Sequence, residues 1–346
     1  MQALILAGGK GTRLRPLTEN LPKPIVPIGN EPFLLRQIQS LKNAGVTDII
    51  LSTGYQPLAI ERALGDGSDY GVKLKYLVEP TPLGTAGAYK FAERFLHTST
   101  IVLNGDILTD INLKEVAAQH RRYNSTATIV LTPVDNPAAY GLVETDTENR
   151  VIRFLEKPKA EDLAKIKINT INAGIYVLET RVLDYIPAGE NHSFEYQLFP
   201  CLLKNRENFH AFIAEDNYWL DIGTPQRYLQ AHHDLIAGKI KNLQITKSNN
   251  FKSSNEAEVD GRSWIAEGCV IKPKARVINS VLGKGVVIEE NSIVQNSVIW
   301  SGTKVSSHSS VVDSIIGSNC QIGKNVMLAP GAVLGDQTVI ANQPCY

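Results

Sequence analysis

No charge predominates in this 346-residue chain: 35 Lys and Arg face 35 Asp and Glu, for a formal net charge of +0. A general binder of nucleic acid or anionic membrane carries an excess of Lys and Arg, so the balance excludes that class. Cysteine is scarce too. Cys201, Cys269, Cys320 and Cys345 are scattered with no close pair, which excludes a disulfide framework or cysteine-built zinc site and points to reduced thiols in a cytoplasmic protein. Long apolar runs are missing as well. The opening MQALILAGGK has only the apolar run Ala3–Ala7 before two glycines, too short for a signal-peptide core, and no stretch approaches a membrane span.

A hydrophobic share of 43% can fill sizeable cores, and the length suits about two domains. The first two-thirds alternates strand-like and helix-like stretches. Ala3–Ala7 reads as a buried strand before a Gly-rich loop. Leu34, Ile38 and Leu41 recur at helical spacing, with Gly45 placed as a cap. Asp48–Ser52, Leu74–Leu77 and Thr100–Leu103 read as strands, and Pro57–Leu64 and Thr85–Phe95 as helices. This alternation predicts a mostly parallel sheet with helices on both faces. Strands at Ala127–Leu131, Leu142–Glu144, Val151–Leu155 and Ile175–Leu178 follow with fewer helices between them, and read as an extension of the same sheet.

From Gly238 to Arg262 the texture changes to Lys, Asn and Ser with few large apolar residues. The spans are therefore 1–238, a connector over 239–262, and 263–346. Beyond the connector a period of six appears: Val259, Ile265, Ile271, Val277; then Leu282, Ile288, Val294, Trp300, Ser306, Val312; then Ile316, Ile322, Leu328, Leu334, Ile340. All but Ser306 are apolar, and Gly283, Gly317, Gly323 and Gly335 each follow an apolar member. Six suits neither an amphipathic helix nor strand alternation, but it is the repeat of a parallel β-helix. The series changes phase after Val277 and again after Val312.

The richest segment runs from Leu6 to Thr18, followed by Leu21-Pro-Lys-Pro24. A Gly-rich loop after a first strand lets backbone N–H groups approach an anion without Cβ interference. No Gly-Lys-Ser/Thr follows, and Leu14 stands where a dinucleotide fingerprint needs its third glycine. What remains is a phosphate-cradling loop of Gly8, Gly9, Gly11 and Thr12, with Arg13 as a fork of donors and Lys23 as a point charge. Asp106 lies just past a strand's carboxyl end, where open α/β sheets bind ligands. Asp221 precedes a helix start with Thr224 as cap and Pro225 at the first position.

Gly8-Gly-Lys-Gly-Thr-Arg-Leu-Arg-Pro-Leu-Thr18 with Pro22-Lys-Pro24 resembles the signature of the sugar-nucleotide pyrophosphorylases. Pro82–Gly87, Asn104-Gly-Asp106, Glu156-Lys-Pro158, Asn172-Ala-Gly174 and Trp219–Pro225 resemble the family's further motifs, in its order. The resemblance is greatest to the branch that joins GTP to mannose 1-phosphate and ends in a left-handed β-helix. Thymidylyl-, uridylyl- and heptose-phosphate guanylyltransferases stand as alternatives, as does a non-catalytic sugar-nucleotide-binding subunit. The resemblance implies a Rossmann-like α/β nucleotidyltransferase domain followed by a left-handed parallel β-helix of hexapeptide repeats. It implies Mg²⁺ held by Asp106 and Asp221. Leu6, Gly8, Gly84 and Thr85 would surround base and ribose, while Gly141, Glu156 and Asn172 would line the sugar pocket. Lys157 would grip the sugar phosphate. The implied partners are a nucleoside triphosphate and a sugar 1-phosphate, with a second copy of the chain through the β-helix. None of these motifs contains a histidine. His232-His233 reads as structural or solvated, and His308 as an exposed loop residue rather than an acyltransferase base.

Overall fold

The computed structural model describes residues 1–134, 141–155, 169–241 and 250–344. By packing, the chain forms two compact units: Met1–Gly9 with Leu34–Trp219, and Lys10–Phe33 with Leu220–Tyr346.

Among the described residues the first unit is built on a nine-stranded sheet. Its strands are β1 (Gln2–Ala7), β2 (Asp48–Thr53), β3 (Lys73–Val78), β4 (Thr100–Asn104), β5 (Ala127–Pro133), β6 (Leu142–Thr145), β7 (Val151–Leu155), β8 (Thr170–Leu178) and β9 (Phe209–Ile213). The spatial order is β7-β6-β8-β4-β1-β2-β3, with β5 on β8 and β9 on β5. β1 pairs in parallel with β2 on one side and β4 on the other. Ala3, Leu4 and Ile5 are fully buried, as a parallel strand covered on both faces demands. The chain leaves β1 toward β2 and β3, then crosses to β4 on the opposite side. That reversal makes the carboxyl end of β1 a topological switch point, where open α/β sheets bind ligands. Beyond β4 the sheet turns antiparallel through β8, which also pairs β5 and β6.

Among the described residues the helices of this unit are α1 (Leu34–Asn43), α2 (Pro57–Leu64), α3 (Gly84–Phe91), α4 (Leu113–Arg122) and α5 (Phe199–Lys204). Gly45 takes φ 80° just past α1, the left-handed stop that glycine permits. The core on one sheet face is aromatic: Tyr176, Phe194 and Phe199 are fully buried, with ring centroids 5.1–5.5 Å apart.

The second unit joins the Gly-rich loop, α6 (Pro225–Ile236) and the repeats. α6 is capped by Thr224, whose Oγ1 accepts from Arg227 N, with Pro225 in the first turn. The repeats build a parallel β-helix with three ladders of short strands. Its first strands, Lys252–Ser253 and Glu258–Val259, fall within the stretch read as connector.

The register corrects one expectation. Ile265, Leu282, Ile299 and Ile316 stack directly, 17 residues apart. Each such coil has two six-residue sides and one of five, from Val277 to Leu282, Val294 to Ile299 and Val311 to Ile316. The interior residues are therefore Ile299, Val305 and Val311, and not Trp300, Ser306 and Val312. The short side turns on Asn279, Asn296 or Asp313, with φ of 46°, 50° and 47°; Asn and Asp tolerate this left-handed conformation best among non-glycine residues. A serine follows each one. Ser280 N donates to Ser263 Oγ, Ser297 N to Ser280 Oγ and Ser314 N to Ser297 Oγ, at 3.0–3.1 Å. These bonds satisfy backbone groups that burial would otherwise leave orphaned.

His308 is exposed at a turn with φ 62°. His232 is buried, with Nδ1 2.9 Å from the Tyr228 carbonyl and Nε2 3.3 Å from Gly29 N. Cys201, Cys269 and Cys320 are free thiols; Cys345 lies outside the described residues. Burial pushes the thiols of Cys269 and Cys320 up in pKa.

Candidate active site

In the first unit the motifs gather at the carboxyl end of β1. Leu6 pairs with Ser52 of β2 and Asn104 of β4, and its carbonyl accepts from Gly105 N at 2.9 Å. A Cβ on Gly105 would stand 2.6 Å from that carbonyl, so Asn104-Gly-Asp106 folds directly over the strand end with Asp106 partly exposed. The Asn172 motif lies alongside. A Cβ on Gly174 would meet Asn104 Nδ2 at 2.7 Å. Asn172 N donates to the Gly141 carbonyl at 3.0 Å, and Trp219 Nε1 to the Ala173 carbonyl at 2.9 Å. Gly141, Asn172 and the Asn-Gly-Asp turn are thus one neighbourhood.

On the other flank of β1 stands a residue the sequence reading passed over. The Glu79 carboxylate, just past β3, overlies Gly8: a Cβ there would lie 3.1 Å from Glu79 Oε1. Ser52 Oγ donates to Oε1 at 2.8 Å and Leu83 N to Oε2 at 3.2 Å. Its only sequence signal was an acidic residue at a strand's carboxyl end.

Thr85 is tied into the protein itself. Its hydroxyl accepts from Phe194 N at 2.8 Å and donates to Glu195 Oε2 at 3.2 Å. Glu195 Oε1 accepts from the Tyr176 hydroxyl, which accepts from Asn172 Nδ2 at 2.8 Å. This chain links Thr85 to Asn172 through the half-buried Glu195 and the buried Tyr176, and these middle members had no motif to mark them. Gly84 takes φ 71°, and a Cβ there would stand 2.6 Å from the His192 carbonyl. Glu156 and Lys157 lie outside the described residues.

In the second unit Gly11 takes φ 63°, with room for no Cβ, since one would meet Lys23 Cβ at 2.8 Å. This close approach joins the two halves of the loop motif and places Lys23, itself 9% exposed, against the backbone of Gly11. Thr18 Oγ1 donates to the Gly11 carbonyl at 2.7 Å, bracing the turn Thr12–Leu14. Arg13 is exposed, and its guanidinium converges with the Asp221 carboxylate on Gly223. There a Cβ would lie 3.3 Å from Arg13 Nη2 and 2.9 Å from Asp221 Oδ2. Asp221 also forms an ion pair with Arg227 of α6. The capping turn and the charged cluster are the same structure: Thr224 starts the helix that aims Arg227 at Asp221.

Residues 2–238 match the family described as Nucleotidyl transferase. The chain belongs to that family. Residues 242–344 of this nucleotidyl transferase match the EIF2B subunit epsilon LbH domain. Similar proteins include a mannose-1-phosphate guanyltransferase of Pichia angusta, 38% identical over 78% of this chain and 74% of its own length. A mannose-1-phosphate guanylyltransferase of Mycobacterium tuberculosis is 36% identical over 82% of this chain and 75% of its own. Among solved structures, HddC from Yersinia pseudotuberculosis is 32% identical with a TM-score of 0.57, covering 66% of this chain and 97% of that one.

Family members generally use a divalent metal ion. Among the described residues no group of three or more His, Cys, Asp or Glu side chains could hold one. Hard carboxylate oxygens from one or two residues, completed by substrate phosphates and water, suit Mg²⁺ better than a closed protein cage does. Asp106 in the first unit and Asp221 in the second each carry a carboxylate of that kind. Among the described residues no helix is long and apolar enough to cross a membrane.

Proposed function

We propose that this nucleotidyl transferase joins GTP and mannose 1-phosphate to give GDP-mannose and pyrophosphate. The relatives' named reaction supports the sugar and the base, and Glu79 is the observation that carries guanine. Guanine presents N1–H and an exocyclic amino group side by side. A carboxylate accepts from both, whereas the adenine and pyrimidine edges each present an acceptor there.

The oxygen of the sugar phosphate attacks the α-phosphorus in line, and pyrophosphate leaves. A phosphate monoester is already anionic near neutral pH, so no strong base is required. Catalysis rests on positioning and charge neutralisation. In this reading Gly8, Gly9, Gly11 and Thr12 admit the triphosphate, while Arg13 and Lys23 neutralise it. Lys157 grips the sugar phosphate, and Gly141, Glu156 and Asn172 contact the sugar. Asp106 and Asp221 would hold Mg²⁺, which supplies Lewis-acid stabilisation of the phosphate charge when bound. A cytoplasmic location and self-association through the β-helix complete the reading; light scattering tests the latter.

Pyrophosphate release from a panel of triphosphates and sugar 1-phosphates tests the proposal. Release with GTP and mannose 1-phosphate far above every other pair is expected. Release with no pair would favour a binding subunit, and preference for another pair would reassign the substrates.

A further inference from the structure

One corner of the β-helix carries more than its repeat requires. The column there reads Ala266, Gly283, Trp300, Gly317, Gly335. Ile299 already fills the interior at the tryptophan's coil, yet Trp300 is buried too. What covers it is Tyr228 of α6, edge-on at 6.3 Å between centroids, with Trp300 Nε1 donating to the Tyr228 hydroxyl at 2.9 Å. That hydroxyl in turn donates to the Pro27 carbonyl. One turn further along α6, His232 accepts from Gly29 N. Asn30 Nδ2 donates to the Leu282 carbonyl at 3.1 Å, beside Gly283 in the column. At the far end, a Cβ on Gly335 would stand only 3.2 Å from Pro16 Cβ.

Apart from α6, the residues reached from the column, Pro16, Pro27, Gly29 and Asn30, all belong to Lys10–Phe33, the stretch that carries Arg13 and Lys23. That stretch has little regular structure of its own: two single-turn helices, Thr12–Leu14 and Lys23–Ile25, and two-residue strands at Pro27–Ile28 and Glu31–Pro32. Such a segment takes its conformation from what it packs against, because local hydrogen bonds are too few to offset backbone entropy.

We infer that the β-helix braces the phosphate-handling loop: Trp300, acting through Tyr228, and Gly335, acting through Pro16, are positioning residues for Arg13 and Lys23. The functional part of this inference rests on the reading of residues 10–33 as the triphosphate loop. The bracing itself does not.

The test uses the full chain with Tyr228→Phe, Trp300→Phe and Gly335→Ala. Val339→Ala, at an exposed position of the last coil, is the control. Tyr228→Phe keeps the ring and removes both hydrogen bonds, while Gly335→Ala adds one methyl against Pro16. Hydrogen–deuterium exchange is followed in peptides from residues 10–33 and, separately, from the coil interior at 292–311, without substrate. Kinetic constants are measured for GTP and mannose 1-phosphate. Faster exchange confined to 10–33 is expected in Tyr228→Phe and Gly335→Ala, with kcat/KM for GTP down about tenfold and the control unchanged. Wild-type exchange and kinetics in all three variants would overturn the inference. So would faster exchange in both regions together, which marks general unfolding. If the wild-type chain turns over no substrate pair, the functional reading fails while the exchange data still decide the brace.

Discussion

Gly9 and Gly11 differ in what an added methyl meets, and that difference separates loop architecture from substrate approach. At Gly11 alanine must adopt φ 63° and place its Cβ 2.8 Å from Lys23 Cβ and 3.3 Å from Thr18 Cγ2. The left-handed conformation costs roughly 1–2 kcal/mol. The Lys23 contact must open by about 1 Å, an overpacking cost of about 1–3 kcal/mol. Lys23 is too buried to swing aside, so the sum of about 2–5 kcal/mol falls on the turn that presents Arg13. At Gly9 nothing lies within 4 Å and φ is outside the left-handed region, so alanine should change stability by less than about 0.5 kcal/mol.

Calorimetry and initial-rate pyrophosphate release measure both variants. Gly11→Ala should lower the thermal midpoint by about 4–20 °C, or, where the loop yields instead, lower kcat/KM at least about tenfold. Gly9→Ala should melt with the wild type and raise KM for the triphosphate, because only a ligand can meet its methyl. A Gly11→Ala protein within about 1 °C and twofold of wild type would refute the steric reasoning. Equal destabilisation by the two substitutions would refute it as well.

Replacing Glu79 with Gln removes one acceptor and turns a donor toward the base, so kcat/KM with GTP should fall roughly 10–100-fold relative to other triphosphates; an unchanged GTP preference in competition assays would count against guanine recognition by this residue. Burial, outweighing the pull of Glu179, holds His120 below its ordinary pKa of 6.5. As pH falls through 6.5 the unfolded chain takes up a proton that folded His120 refuses, so stability should decline from pH 7.5 to 5.5, and His120→Gln should flatten that decline. Glu179 adds a second loss below 4.5, since the hydrogen bonds from Ser99 and His120 outweigh its burial and hold it low. Greater wild-type thermal stability at pH 5.5 than at 7.5 would contradict this assignment. Ser297→Ala removes the acceptor for Ser314 N inside the coil stack, at a cost of about 1–3 kcal/mol readable in urea unfolding; a neutral effect would mean that water reaches this row.

The parallel half of the sheet, the Gly-rich turn and the existence of the β-helix were all legible because each rests on a short local period or a local backbone demand. The phase of the β-helix was legible as far as Val294 and again from Ile316 to Ile340, but not between Val294 and Ile316. After Val294 the step falls from six to five; Val305 beside Ser306 favours the shorter step, but Ile299 beside Trp300 and Val311 beside Val312 are apolar in either register. Side-chain character cannot choose between such neighbours, whereas the hydrogen-bond ladder between coils can. A usable signal was present in Asn279-Ser, Asn296-Ser and Asp313-Ser, which mark each five-residue side.

By itself, then, the sequence determined where the Gly-rich turn and its cations lie and that a stack of short coils follows, since those properties follow from glycine, charge and spacing along one strand of chain. Tertiary structure alone decided which of them meet. Glu79 over Gly8, Lys23 against Gly11, and Trp300 under Tyr228 pair residues 71, 12 and 72 positions apart. No periodicity carries information over such distances; these contacts are set by strand order and by how closely one backbone packs on another.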